Sequence, residues 1–171
     1  PTVSSSIYNR TFWLAFLANM TLVTANAFTF RFAELVAFFG GTEKVAGVIV
    51  SAGLLVSLAA RFLLGTAIDH HGTRRLWILM SLFFLAGASL LVVSDNIGPL
   101  LVAARILYAV GIAGVAACSI VHIQNLVPPE RRTEMIGSLG ASGFIGMVIG
   151  AHAGDWILNR VAPGRMQFVV L

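Results

Sequence analysis

Charged residues are scarce in this chain. Aspartate, glutamate, lysine and arginine together make up 11% of its 171 residues, whereas soluble domains carry about 25%. Hydrophobic residues make up 58%. A chain with so little charge cannot cover a water-exposed surface, so the composition excludes an ordinary soluble domain and predicts a polytopic membrane protein.

The signatures of common catalytic and cofactor sites are absent as well. The sequence has no P-loop, no zinc-ligand spacing, no dinucleotide-binding glycine motif and no Ser-His-Asp order, so we expect no enzyme, no cofactor and no metal. Its single cysteine, Cys118, excludes an intrachain disulfide and should be a small buried hydrophobe. The net charge of +4 comes from arginines scattered over loops, which argues against nucleic acid as a partner.

Long apolar runs divide the chain into spans. The run 11–30 contains no charged residue and, at 1.5 Å per residue, is about 30 Å long, the thickness of the hydrocarbon layer. A signal peptide would be the alternative for this run, but four more spans follow it. We predict an all-α transmembrane bundle with an N-terminal tail over 1–10, an exit turn over 31–44, and helices over 11–30, 45–68, 76–94, 99–125, 135–158 and, at its start only, 166–171.

The loop charges predict an orientation. With the N-terminus in the cytoplasm, the cytoplasmic side carries five arginines and the other side four basic residues. The paired arginines Arg74-Arg75 and Arg131-Arg132 then share the cytoplasmic side, while Asp95 lies opposite. We therefore expect an integral protein of a bacterial inner membrane with a cytoplasmic N-terminus.

A charged segment, Asp69 to Arg75, lies between the second and third spans, where it must form a surface loop. Together with the four residues before it, which begin at Gly65, this segment resembles the loop 2–3 signature of the major facilitator superfamily, G-x-x-x-D-R-x-G-R-R/K. His70 and Thr73 stand where that signature has arginines. The matching positions are Gly65, Asp69, Gly72 and Arg74, with Arg75 next to them.

Two further segments are similar to patterns of the same family. The segment Arg105 to Gly111 in the fourth span resembles R-x-x-x-G-x-G, with Ala109 in place of the first glycine. The segment Gly146 to Asp155 in the fifth span resembles the antiporter pattern G-x-x-x-G-P-x-x-G-G, without the proline and the last glycine.

The resemblance covers spans two to five and implies a transporter. The family is built from two six-helix halves that rock around a midplane site, so this chain would supply most of the first half. The implied function is secondary active or facilitative transport of a small solute by alternating access, with a C-terminal half or partner subunit completing the fold. The alternative is a non-transporting membrane subunit, assembly factor or sensor.

The resemblance also implies that the loop is a gate. Asp69 at the C-terminal end of a helix opposes the helix dipole and needs a compensating partner, which Arg74 or Arg75 could supply. The gate residues would be Gly65, Asp69, Gly72, Arg74 and Arg75; the alternative is a solvated loop that only sets topology. His70 and His71 could make such a gate sensitive to pH.

Polar side chains inside the spans predict a substrate cavity. Arg105 lies about 9 Å into its helix, where a charge is costly unless it faces protein or water. Arg105 would bind an anionic group or tune a proton carrier. The alternative is that its side chain snorkels to the membrane surface, and the same alternative applies to Arg61 in the second span. The predicted cavity residues are Arg105, Tyr108 and His122 on one stripe of the fourth span, and Asn19 and Asn26 on one face of the first.

Both remaining assignments on these helices have an alternative. The two asparagines could instead make interhelical hydrogen bonds. Four glycines on one face of the fifth span predict close helix packing, with a flexing hinge as the other interpretation. They are Gly143, Gly146, Gly150 and Gly154.

Overall fold

The computed structural model describes residues 10–160, and these fold into helices without a strand. The helices are α1 (Arg10–Phe28), α2 (Phe32–Phe38), α3 (Glu43–His71), α4 (Thr73–Val93), α5 (Pro99–Leu126) and α6 (Arg132–Leu158), with 3₁₀ turns at Thr29–Arg31 and Pro129–Arg131. Five helical segments are long and apolar enough to cross a membrane when Arg10–Phe38 is taken as one. The predicted all-α transmembrane bundle is therefore confirmed.

Glycine and proline set the helix boundaries. Gly72 has a φ of 81° and is the only residue between α3 and α4, because a left-handed conformation ends a helix without strain only at glycine. Gly40, also at 81°, ends the α2 segment in the same way. Pro99 is the first residue of α5, a position where its missing N–H costs nothing.

The segment predicted as an exit turn, 31–44, is mostly helical, and this expectation was wrong. Phe32, Leu35 and Val36 follow helical spacing and are at most 2% exposed, so they form the apolar side of α2 beneath the charges that favoured a loop. The turn itself is limited to Phe39–Thr42. The predicted tail 1–10 lies outside the described residues except for Arg10, as does the predicted start of a helix at 166–171.

Two helix pairs pack closely, and glycine makes both possible. On the α4–α5 side, a side chain at Gly87 would meet the Tyr108 backbone, and one at Gly111 would meet the Phe84 backbone. On the α1–α6 side, Gly146 lies against the backbone of α1. Small residues permit such close approach in membranes, where lipid supplies no hydrophobic force between helices.

A third helix pair is formed by α3 and α5. The largest cluster of buried residues lies where α2 packs beside this pair. Gly53 of α3 faces the carbonyl oxygen of Arg105 and the methyl group of Ala109. Phe32, Leu35, Ile49, Leu91, Leu101 and Tyr108 belong to the largest buried cluster.

The bundle has two ends, which we call the Gly72 end and the Arg31 end. The Gly72 end carries the α3–α4 turn, the α5–α6 junction and the start of α1. The Arg31 end carries the α1–α2 junction, the α4–α5 loop and the end of α6. Consequently α3 and α5 are parallel, both running from the Arg31 end to the Gly72 end.

Large apolar side chains point outward along the bundle. Val48, Leu55, Phe62 and Leu63 of α3 and Phe144 of α6 are each more than two-thirds exposed. Such a surface is incompatible with water but suits a lipid environment or a further helical layer.

Candidate functional site

A cavity of about 360 Å³ lies among α1, α3 and α5. Its walls combine aliphatic side chains with a set of polar ones, and neither aspartate nor glutamate lines it among residues 10–160. Concave sites with a few convergent polar groups are typical of small-molecule binding. The polar lining residues are Asn19, Asn26, Thr29, Ser57, Arg61, Arg105 and Tyr108.

Arg105 is the charged centre of this cavity. Its guanidinium carbon lies 4.9 Å from the ring centroid of Phe32 and 5.5 Å from that of Tyr108, distances at which an aromatic face attracts a cation. One guanidinium nitrogen is buried and has no hydrogen-bond partner within the described part of the chain. Two rings therefore hold the group in place, but no carboxylate there neutralises it.

Tyr108 and Asn26 form one wall of the cavity. The tyrosine hydroxyl donates a long hydrogen bond of 3.5 Å to the side-chain oxygen of Asn26, which connects α5 to α1. The tyrosine ring is 3% exposed and packs against Phe84, with 5.0 Å between ring centroids. The α4–α5 contact thus fixes the ring beside Arg105.

Asn19 lines the cavity but also ties two helices together. Its amide nitrogen donates to the carbonyl oxygen of Leu139 at 2.9 Å and to the hydroxyl oxygen of Ser142 at 2.8 Å. Ser142 is fully buried. The interhelical hydrogen bond considered as the alternative for this residue is present.

His122 lies outside the cavity, unlike its predicted stripe partners. Its ring is 5.5 Å from the ring of Trp77 on α4, and the residue is exposed. Seventeen residues at about 100° each place His122 roughly 100° around α5 from Arg105, so it faces α4. The cavity-facing stripe of α5 therefore does not extend to His122.

The α3–α4 turn has an unusual distribution of charge. Asp69 occupies the last turn of α3, and Arg74 and Arg75 occupy the first turn of α4. Each charge opposes the dipole of its own helix. Among residues 10–160, Asp69 makes no ion pair with either arginine, and all three are exposed. The compensation expected across the turn is not formed.

Gly65 presents an open helix surface next to this turn. A side chain added at Gly65 would meet no atom within 4 Å. Nothing in the described part of the chain therefore requires glycine at this position, unlike Gly72, whose positive φ does.

The sequence model of the family named Major Facilitator Superfamily matches residues 12–170 of the chain. The chain belongs to this superfamily. It is 31% identical over 114 residues to the solute carrier family 2, facilitated glucose transporter member 10 of Danio rerio, covering 66% of the chain and 22% of the relative. It is 29% identical over 129 residues to multidrug resistance protein 3 of Bacillus subtilis, covering 75% and 25%.

The chain is also similar to a quinate permease of Neurospora africana. The two are 27% identical over 103 residues, which cover 58% of the chain and 19% of the relative. The chain thus spans about a fifth to a quarter of the length of these relatives. The family match and the five helices that could cross a membrane place the chain in an integral membrane protein. The names of two of these relatives, a transporter and a permease, point away from an enzyme.

The chain also contains an ion-pair cluster that its sequence did not predict. Arg31 pairs with Glu34 three residues later and with Asp155 at the end of α6. The cluster borders a second cavity of about 230 Å³ and ties the junction between α1 and α2 to the end of α6. The only signal in the sequence was opposite charge at the ends of two spans, which does not show that these spans are neighbours.

The four glycines of α6 all face α1 but at different distances. Side chains at Gly146 and Gly150 would collide with the backbone around Met20 and Thr24. At Gly143 and Gly154 the nearest atoms are at an ordinary contact distance of 3.5 Å or more. The two central glycines are therefore the points of closest approach in this pair.

Proposed function

We propose that the protein containing this chain is a secondary active or facilitative transporter that moves a small anionic solute by alternating access. The observation that carries the proposal is the unpaired guanidinium nitrogen of Arg105 in the cavity. A buried cation without a counter-charge is costly in an apolar layer. An anionic solute would offset that cost when it enters.

The names of the relatives support transport but do not select a solute, because they include a glucose transporter, a multidrug resistance protein and a quinate permease. The choice of an anion depends on the cavity alone. Asn26 and Tyr108 would orient the solute beside Arg105, since their polar atoms already meet at this wall.

The gate belongs to the same proposal. Asp69, Arg74 and Arg75 carry charges that their own helices disfavour, and Gly65 leaves the neighbouring surface open. A second half that supplied a helix N-terminus to Asp69 and acidic groups to the arginines would close the cavity at the Gly72 end. Opening and closing of this contact would provide alternating access.

We place the Gly72 end and the N-terminus in the cytoplasm of a bacterial cell, with the bundle in the inner membrane. Arg74, Arg75, Arg131 and Arg132 lie at this end, whereas Asp95 lies at the other. This asymmetry agrees with the preference of positive residues for cytoplasmic loops.

Uptake into proteoliposomes by the full-length protein tests the function. We expect uptake from a panel of radiolabelled organic anions, and a reduction of about tenfold or more in Arg105→Gln, because a charged hydrogen bond contributes about 1.5–3 kcal/mol. Arg105→Lys should retain part of the activity. Arg160→Gln is the matched control, since Arg160 stacks on Trp156 away from the cavity.

Two outcomes would contradict the proposal. Unchanged uptake in Arg105→Gln would remove Arg105 from the solute site. Absence of uptake by a folded wild-type protein across anionic, neutral and cationic solutes would favour the non-transporting subunit, assembly factor or sensor.

A further inference from the structure

The cavity contains a second arginine. Arg61 of α3 borders the same space as Arg105 of α5, and no acidic side chain of residues 10–160 lines it. Two cations therefore face one cavity from two helices. A solute that carries one anionic group would neutralise only one of them.

The two arginines lie at different depths in the bundle. Gly53 of α3 is level with Arg105 and Ala109, because a side chain there would lie 3.4 Å from the Arg105 carbonyl oxygen and from the Ala109 methyl carbon. Arg61 follows Gly53 by eight residues, so its Cα lies about 12 Å further toward the Gly72 end. The two cations are thus spaced along the cavity axis.

The direction of α3 decides where the Arg61 side chain is aimed. Helical side chains lean toward the N-terminus of their helix, and α3 begins at the Arg31 end. The exposed Arg61 lines the cavity, and a lean in this direction would carry its side chain toward the level of the Arg105 Cα and away from the Gly72 end. Snorkelling to the Gly72 end would require the opposite direction across the roughly 12 Å that separate Arg61 from Asp69.

Ser57 lies between the levels of the two arginines and adds a polar group to the wall of the cavity. It is one turn before Arg61 on the same face of α3, it lines the cavity, and its hydroxyl donates to the Leu54 carbonyl oxygen at 2.9 Å. The oxygen of this hydroxyl still has room to accept a hydrogen bond. The cavity wall thus offers one hydroxyl between the two cations.

We propose that the cavity selects a small linear dicarboxylate, with one carboxylate at Arg105 and the other at Arg61. This inference depends on the proposed function and specifies its solute class. Carboxylates match the planar fork of donors that each guanidinium presents. Arg61 is then a specificity-determining residue, since it distinguishes a dianion from a monoanion of the same length.

Matched pairs of solutes test this assignment. Uptake of succinate, glutarate and adipate by the full-length protein in proteoliposomes is compared with uptake of their monomethyl esters, which keep the chain length but lose one charge. We expect kcat/KM for at least one dicarboxylate to exceed that of its ester about tenfold. Arg61→Gln should lower dicarboxylate uptake to the ester level, so that the ratio of the two kcat/KM values falls to about one.

Three variants make the result specific. Arg61→Lys should keep the preference for the dicarboxylate, because it keeps the charge. Arg105→Gln should lower uptake of both solutes, because it removes the first anion site. Arg160→Gln should change neither. Size-exclusion profiles in detergent establish that each variant is folded.

The outcomes separate this inference from the proposed function. Equal uptake of ester and dicarboxylate by the wild type, or an undiminished preference in folded Arg61→Gln, overturns the role of Arg61 while transport through Arg105 stands. Uptake of esters without any dicarboxylate overturns it in the same way. Transport of neutral solutes only, or no transport, overturns both.

Discussion

Two asparagines seven residues apart on α1 have different surroundings. Asn19 uses its amide nitrogen to hold α6, whereas Asn26 accepts a bond from Tyr108 inside the cavity. Both face the cavity. Helical spacing places the pair on one face, but the neighbours that each one meets depend on how far along the helix it lies.

Replacement of Asn19 distinguishes packing from solute binding. Asn19→Ala removes two hydrogen bonds between α1 and α6, and we expect a loss of stability between about 0.6 and about 1.7 kcal/mol, the average and the maximum measured for interhelical hydrogen bonds in a membrane protein. Thermal unfolding in detergent measures it. Thr21→Ala is the control, since the exposed Thr21 hydroxyl donates to the Leu17 carbonyl oxygen of its own helix. An unchanged melting temperature with lost uptake would make Asn19 a solute ligand instead.

At the scale of helices, the α1–α6 pair depends on two backbone contacts. A methyl group at Gly146 would overlap the Met20 carbonyl oxygen and would lie 3.2 Å from both the Met20 carbonyl carbon and the Thr24 nitrogen. The overlap with the carbonyl oxygen cannot be relieved without a shift of one helix against the other. Gly140 lies on the open side of the same helix, with nothing within 4 Å of an added methyl group.

Alanine substitutions at these two glycines should change the stability of the protein in opposite directions. We expect Gly146→Ala to destabilise the protein by about 1–3 kcal/mol through overpacking. Gly140→Ala should be neutral or stabilising by up to about 1 kcal/mol, because alanine favours the helix. Thermal unfolding in detergent compares them. Equal melting temperatures would show that α1 and α6 move apart without cost, which is the behaviour of a hinge rather than a packed pair.

The sequence predicted the positions of the helices better than it predicted which helices pack against each other. Runs without charge predict spans because the hydrocarbon layer imposes a length, and the observed ends differ from the predicted ones by three residues or fewer for α3 to α6. The helix α2 was missed because Arg31 and Glu34 outweighed the spacing of Phe32, Leu35 and Val36.

Among the site residues, Arg105, Tyr108, Asn19 and Asn26 meet around one cavity, but His122 does not. Its position depends on which helix packs beside α5, and periodicity does not contain that information. The same holds for the pair of Arg31 with Asp155, which becomes visible only when α1 and α6 are neighbours.

At the scale of the whole molecule, the α3–α4 turn carries charges without partners in residues 10–160. Asp69 opposes the dipole of α3, and Arg74 and Arg75 oppose that of α4. A charge that its own helix disfavours is stabilised when another element supplies the opposite sign. The gate proposed above requires such an element, and this chain spans only about a fifth to a quarter of the length of its relatives.

This arrangement predicts that neutralising Asp69 opens the cavity toward the Gly72 end. A contact formed only in the closed state shifts the equilibrium by its own free energy, so loss of about 1–1.5 kcal/mol changes the ratio of open to closed protein roughly 5- to 10-fold. The measurement is the labelling rate of Ser57→Cys, a cavity position, by a membrane-impermeant maleimide applied from the Gly72 side, with the buried Cys118 replaced by serine.

Asp69→Asn should raise that labelling rate several-fold and lower uptake, since a transporter that remains open on one side completes fewer cycles. Glu130→Gln is the matched control: Glu130 is an exposed acid at the same end but lies outside the turn. If Asp69→Asn labels and transports like the wild type, the turn is a solvated loop that sets topology, and closure of the cavity must depend on other residues.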